Sequence, residues 1–397
     1  MSLIEQIKHR SEEIFDEVIE NRRHIHANPE LSFEEAKTAA YVQQHLQQLG
    51  IPYKNDVGGH GVVGEITGLA EGPQKVLALR ADMDALPIKE ANEVPYKSKN
   101  PGVMHACGHD VHTSSLLGTA KILQELRAQF SGTIKLIFQP AEERFPGGAS
   151  IMIQEGVLQQ PNVQSILGQH VMPFIDCGKI GVRPGKYMAS ADEIYMKVKG
   201  KGGHAALPST FIDPIMMTAQ ILTTLQQVVS RSDTRIPSVL SFGKIIAEGA
   251  TNVIPDEVYV EGTFRTMDEP WRAKAHDKIK DIVHMTAKAL GGEVELEIRK
   301  GYPVLFNDEK LTLQSRDYIA DYVGEENVID MDLWMAAEDF AYYTHEVPGC
   351  FYRLGTRNEN KGIVHGLHTP RFNIDENAMK ISTGLMSWLA INHMQQA

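Results

Sequence analysis

Residues 104–113, MHACGHDVHT, carry three histidines, a cysteine and an aspartate, with Gly102 and Gly108 beside them. A core strand or a solvated loop needs none of that chemistry. Cys107 and His109 are separated only by a glycine. On extended backbone, residues i and i+2 face the same way, so both side chains would reach one point. Thiolate and imidazole are ligands suited to zinc and related divalent ions. The stretch reads as part of a metal centre, and the rest of the chain should supply further ligands and a base.

Four features could complete it. Residues 81–87, ADMDALP, follow an apolar strand, and Asp82 and Asp84 there are costly unless they face a site or a partner; N-cap aspartates of a turn are the plain alternative. Residues 139–144, QPAEER, also follow a strand. On extended backbone Glu142 and Glu143 would point apart, one toward a metal and its neighbour toward a water or proton. His170 ends an apolar run, where a histidine by itself is more often structural than a ligand. His365 and His368 lie in a Gly/Pro loop, GLHTP, whose plain reading is surface. Convergence is what argues for a centre. Cys107, His109, Glu143, His170 and His368 make five donors, about what two metals with a bridging ligand require, with water filling open positions.

These residues need a scaffold. Ile4, Ile7, Ile14, Phe15, Val18 and Ile19 recur at helical spacing and predict one amphipathic helix ending before Asn28-Pro29. Ser32 with Glu35 predicts a capping box opening a second helix, closed by Gly50. Strands are expected over 62–67, 76–80, 132–139 and 165–171, with a helix over 112–126. That alternation predicts an α/β fold, a sheet with helices on its faces. Gly59, Gly61 and Gly64 match a dinucleotide fingerprint in form, but β-type residues and a turn follow instead of a helix, so loop glycines are the reading. From about Asp192 the order becomes β-α-β-β-α-β, a ferredoxin-like unit. The expected domains are 1–191, a first catalytic part; 192–304, an inserted domain; and 305–397, the second catalytic part.

The chain has 397 residues, 42% hydrophobic and 23% charged, ordinary for a soluble enzyme. A net charge of −12 argues against a nucleic-acid partner. Three cysteines without a CxxC form no disulfide framework, the N-terminus does not read as a signal peptide, and no apolar run approaches a membrane span. A cytoplasmic, reducing setting follows as an expectation, one that would keep Cys107 available as a thiolate.

The ordered set RRHIHANPELSFEE, ADMDALP, MHACGHDVHT, FQPAEE, GKGGHAALP, TNVIPD, AAEDFAYY and GLHTPRFNIDE resembles the M20 metallopeptidase family over nearly the whole chain. Within it, the chain is most similar to the amidohydrolase branch of hippurate, N-acyl-amino-acid and auxin-conjugate hydrolases. The resemblance implies a zinc-peptidase-like catalytic domain with an inserted lid and dimerisation domain. It makes Cys107, His109, Glu143, His170 and His368 ligands of two divalent metals, and Glu142 the general base. Asp84 would orient a ligand. His204 would reach a partner subunit's site in a homodimer and stabilise the oxyanion, and Asn252 and Arg265 would hold the substrate's carbonyl or carboxylate. The wider family's His-x-Asp stands here as Asp82-Met83-Asp84, so its metal preference need not carry over. A thiolate suits zinc, while the branch is associated with manganese.

The expected function is metal-dependent cleavage of N-acyl amino acids, small-molecule substrates, into a carboxylic acid and an amino acid. A dipeptidase or carboxypeptidase of the same chemistry and a catalytically silent metal-binding protein are the alternatives. A cysteine hydrolase pairing Cys107 with His105, His109 or His112 is a third, disfavoured by the number of further donors.

Overall fold

The computed structural model describes residues 1–395. The segment VLALRAD forms the strand Val76–Asp82, buried along its whole length. Parallel strands covered on both faces read as near-continuous apolar runs, and this one lies between the strands Thr133–Gln139 and Ser165–Asp176, parallel to both. Strand Gly349–Arg357 pairs parallel with Ser165–Asp176 on the far side. The hairpin of Tyr53–Val57 and Gly61–Thr67 extends the sheet antiparallel beyond Thr133–Gln139, and Ile180–Val182 and Val328–Asp330 complete eight strands. Gly59 lies in the turn of that hairpin, as the loop reading expects, whereas Gly61 and Gly64 lie in its second strand, with no helix following. The register levels the future site: Asp82 pairs with Gln139, and Arg80 with Gly168, two residues before His170.

The helix His109–Glu125 is buried over most of its length and packs between the helices Phe15–Ala27 and Ala378–Gln395. The N-terminal periodicity differs from expectation in one respect. It is divided into two helices, Leu3–Glu13 and Phe15–Ala27, meeting at Ile14, so apolar spacing survives a break in the backbone. The predicted capping box is also corrected. The next helix, Ala36–Gln48, is capped instead by Glu30, whose carboxylate accepts from the amides of Lys37 and Thr38, while Ser32 and Glu35 turn toward the sheet. Gly50, at φ +64°, follows the last turn, and Ile51 N closes back on Leu46 O.

The chain divides into two compact units. The first comprises 1–185, 306–332 and 339–397, and the second 186–305 and 333–338. The sequence reading set the limits at 191/192 and 304/305 and left 333–338 with the catalytic part. In the structure the strand Ser190–Lys199 starts before Asp192, and Trp334 bridges to Met188.

The second unit holds a four-stranded antiparallel sheet in the order Ser238–Ile246, Glu257–Thr266, Ser190–Lys199, Glu293–Lys300. On Ser190–Lys199, Ile194, Met196 and Val198 alternate toward a core shared with the helices Pro214–Ser230 and Glu269–Ala289. Asp213 and Asp268 cap these helices, each ahead of a proline in the first turn. Asp192 is fully buried, held by Arg272 and His276. Among the described residues no helix is long and apolar enough to cross a membrane.

Candidate metal centre

The loops that leave the carboxyl ends of the central strands build the site together with His170, inside strand Ser165–Asp176, and His109, which opens its helix. Cys107 lies at its middle. His170 Nε2 is 3.4 Å and His368 Nε2 3.3 Å from its sulfur. Potential ligand atoms of Cys107, His109 and His170 form one compact group, and those of Cys107, Glu143 and His368 form another. All five expected donors thus converge, as two triads sharing the thiol.

Two local expectations are corrected here. Cys107 and Gly108 are not extended. Gly108 is left-handed at φ +87°, and His109 is the first residue of its helix, so a glycine turn, not strand alternation, brings the two side chains to one place. Glu142 and Glu143 do not point apart either. Ala141 is left-handed at φ +51°, which bends the chain so that Glu142 Oε2 and Glu143 Oε1 lie 4.0 Å and 3.9 Å from His109 Nε2.

Two of the three expected histidine ligands have their tautomer set by a group that can only accept. His170 Nδ1 donates to Val171 O at 2.7 Å, and His109 Nδ1 donates to Asp84 Oδ1 at 3.1 Å, leaving both Nε2 atoms toward the centre. His112 is different. Its Nδ1 meets Asp82 at 2.6 Å and its Nε2 accepts from Val171 N at 2.9 Å, so neither nitrogen remains for a metal. Asp82 is further held by Arg80 at 2.6 Å, and Arg80 also binds Asp339 at 2.7 Å. Asp84 Oδ2 accepts from Ser32 Oγ at 2.6 Å and from Glu143 N at 3.0 Å, so one carboxylate ties two expected ligands together.

The donor set fits divalent cations. His109 Nε2 and Glu143 Oε1 are buried without a hydrogen-bond partner, and the 3.2 Å approach of Glu143 to His368 lacks hydrogen-bond alignment. Such orphaned atoms are costly unless something unites them. Burial and the carboxylates of Glu143 and Glu142 push the Cys107 thiol well up, so its thiolate needs a nearby cation. Burial opposes charge on His109, yet Asp82 and Asp84 outweigh it and push the ring up to about 10. The field that holds a proton there is one a divalent ion would also feel.

The remaining candidates lie in the second unit. His204 is exposed on a short strand paired with Val253–Ile254, and Ala205 N donates to Asn252 O, so His204 and Asn252 are neighbours. Arg265 is near the far end of strand Glu257–Thr266, roughly 26 Å along it from Glu257 at about 3.3 Å per residue. Its guanidinium donates to Met335 O at 3.2 Å. Sequence reasoning assigned no role to Arg80 or Asp339, and gave Ser32 and Glu35 a helix cap and no part in the site. Their only signal was a set of polar residues within apolar or capping patterns.

Residues 78–390 match the peptidase family M20/M25/M40. The chain belongs to that family. Over 90% of its length it is 41% identical to the N-acetyl-L-cysteine deacetylase of Bacillus subtilis, covering 83% of that protein. Over 98% it is 39% identical to thermostable carboxypeptidase 2 of Saccharolobus solfataricus, covering 99%. Among solved structures it is similar to Bacillus subtilis YxeP, described as a dinuclear metal-binding peptidase from the M20 family. That match has a TM-score of 0.83 at 33% identity, over 97% of this chain and all of the other. The M20 chain described here is a metal-dependent amidohydrolase, and its α/β fold is that of the family.

Proposed function

We propose that this M20 enzyme hydrolyses N-acyl amino acids to a carboxylic acid and a free amino acid, with Cys107, His109, Glu143, His170 and His368 holding two metals, zinc or manganese. The observation that carries the site is the pair of triads meeting at Cys107, with Glu142 beside them and outside both. Two divalent ions there would polarise the acyl carbonyl and acidify the attacking water. Glu142 takes the water's proton and delivers it to the departing nitrogen as the C–N bond breaks. Asp84 keeps His109 in its ligating tautomer.

His204 is proposed to hydrogen-bond the oxyanion in a second copy of the chain. Ala206 N donates to its Nδ1 at 3.1 Å, so Nε2–H is the free donor. Asn252, its neighbour, is proposed to act at the same carbonyl, and Arg265 to pair with the substrate carboxylate. His204 lies on a separate two-stranded sheet and Arg265 near the far end of the strand Glu257–Thr266, an arrangement that suits sites in different copies. A homodimer is supported by the edge strand Ser238–Ile246, where Val239, Ile245 and Ile246 are exposed apolar residues on an unpaired ladder. Free cysteines throughout suit a cytoplasmic setting.

The substrate is tested by amino-acid release from N-acetyl-, N-benzoyl- and indoleacetyl-amino acids and from dipeptides, with chelator and after zinc or manganese reloading. Release from acyl-amino acids that stops with chelator and returns with metal is expected. Release from peptides alone would move the reading to the peptidase alternative, which the likeness to a carboxypeptidase favours. The trans role is tested by mixing two inactive variants, His204→Ala and Glu142→Ala. Random subunit exchange should restore roughly a quarter of wild-type activity, because half the dimers carry one complete site. No recovery after verified exchange would rule out the role in trans.

A further inference from the structure

Glu35 is fully buried, yet it is neither a donor to the centre nor a cap of the helix it precedes. One of its oxygens, Oε1, accepts two backbone amides, Phe33 N at 2.9 Å and Ala141 N at 2.8 Å. Both residues are left-handed without being glycine, at φ +69° and +51°. That conformation is strained for a residue with a Cβ and persists where surrounding bonds over-determine it. Ala141 directly precedes Glu142, and its bend aims the two glutamates into one site. Asp84 pins the next amide but one, Glu143 N. Ala141 O is also taken, by Gly148 N at 2.9 Å.

We infer that Glu35 is a positioning residue for Glu142: its buried Oε1 clamps the left-handed turn at Ala141 and so sets the aim of the proton-transfer carboxylate. This rests on Glu142 being the base, as proposed above. Glu35 Oε2 is buried and unpartnered. Burial and repulsion from Asp84 push the carboxyl up to about 7, against the pull of the amides it accepts. Both clamp bonds fall on Oε1 alone, so one carbonyl oxygen is enough, and glutamine provides the same acceptor in the same shape.

The test compares Glu35→Ala, Glu35→Gln and Glu35→Asp in the metal-loaded protein, reading kcat, KM and bound metal. Glu35→Ala should lower kcat by roughly 10- to 100-fold, the scale of a misplacement near 1 Å, with KM changed less than threefold and two metals still bound. Glu35→Gln should recover to within threefold of wild type. Glu35→Asp, one methylene short of Ala141, should resemble alanine, and it reads the clamp if the alanine variant does not fold. Wild-type kcat in Glu35→Ala, a glutamine variant as impaired as alanine or aspartate, or metal loss in step with activity would each overturn the inference. Failure of the underlying reading is distinguishable, because Glu142→Ala itself would then remain active.

Discussion

Glu142→Ala will abolish turnover and leave both metals bound. Glu142 lies outside both Cys107-centred triads, and its Oε2 is 4.0 Å from His109 Nε2, a distance at which neither group bonds the other. Glu142 also comes close to His109 and Glu143, and to Glu338 and Asp339, as a potential ligand; in the proposed centre its removal takes away the proton acceptor and leaves the five donors in place. General-base catalysis contributes roughly 10²- to 10⁴-fold, so kcat should fall by at least 10². Equilibrium dialysis with elemental analysis should still find two metals per chain. The acid limb of the wild-type pH–rate profile should disappear from whatever activity remains, since that limb reports the base. Activity within tenfold of wild type would mean that another group takes the proton.

Cys107→Ala will have the opposite signature. The thiol is shared by both triads, so its loss removes a ligand from each. Even groups that only orient a ligand are worth about 10- to 100-fold in metal affinity, and a shared ligand should exceed that at both positions. Stoichiometry after dialysis should fall below one metal per chain, with turnover reduced by more than 10²-fold. Alanine is smaller than cysteine and Cys107 is buried, so unfolding should remain cooperative with a modest loss of stability. The cysteine-nucleophile alternative makes a different prediction. It would lose turnover in Cys107→Ala with metal retained, and chelator would not inhibit the wild type. The position of Cys107 between His170 and His368 favours the metal outcome.

The second unit shows how far local pattern reaches. Its helices and strands follow from apolar spacing and aspartate–proline caps that each lie within about 20 residues, and the fold keeps them. Even there the pattern did not find that 333–338 return to this unit, because a short segment with no periodicity has no local signal. In the first unit the same limit is visible at Ser32 and Glu35. Their types and spacing suit a helix cap, but the sheet beneath offers Asp84 and the amide of Ala141, and those long-range bonds prevailed.

By itself the sequence determined the chemistry available. It held a cysteine and a histidine on either side of a glycine, glutamates after a buried strand, and histidines at a strand and in a C-terminal loop, together with the alternation that makes an α/β sheet. Those properties belong to residue types and short periods. Only the tertiary structure decided the geometry: which donors share Cys107, that His112 and Asp82 neutralise one another's claims on a metal, and that both glutamates face one site. These depend on parallel strands set in register, on a contact between Cys107 and His368, 261 residues apart, on left-handed turns at Gly108 and Ala141, and on the buried Glu35 carboxylate that accepts from the amide of Ala141. A contact so distant along the chain leaves no periodic trace in the residues that make it.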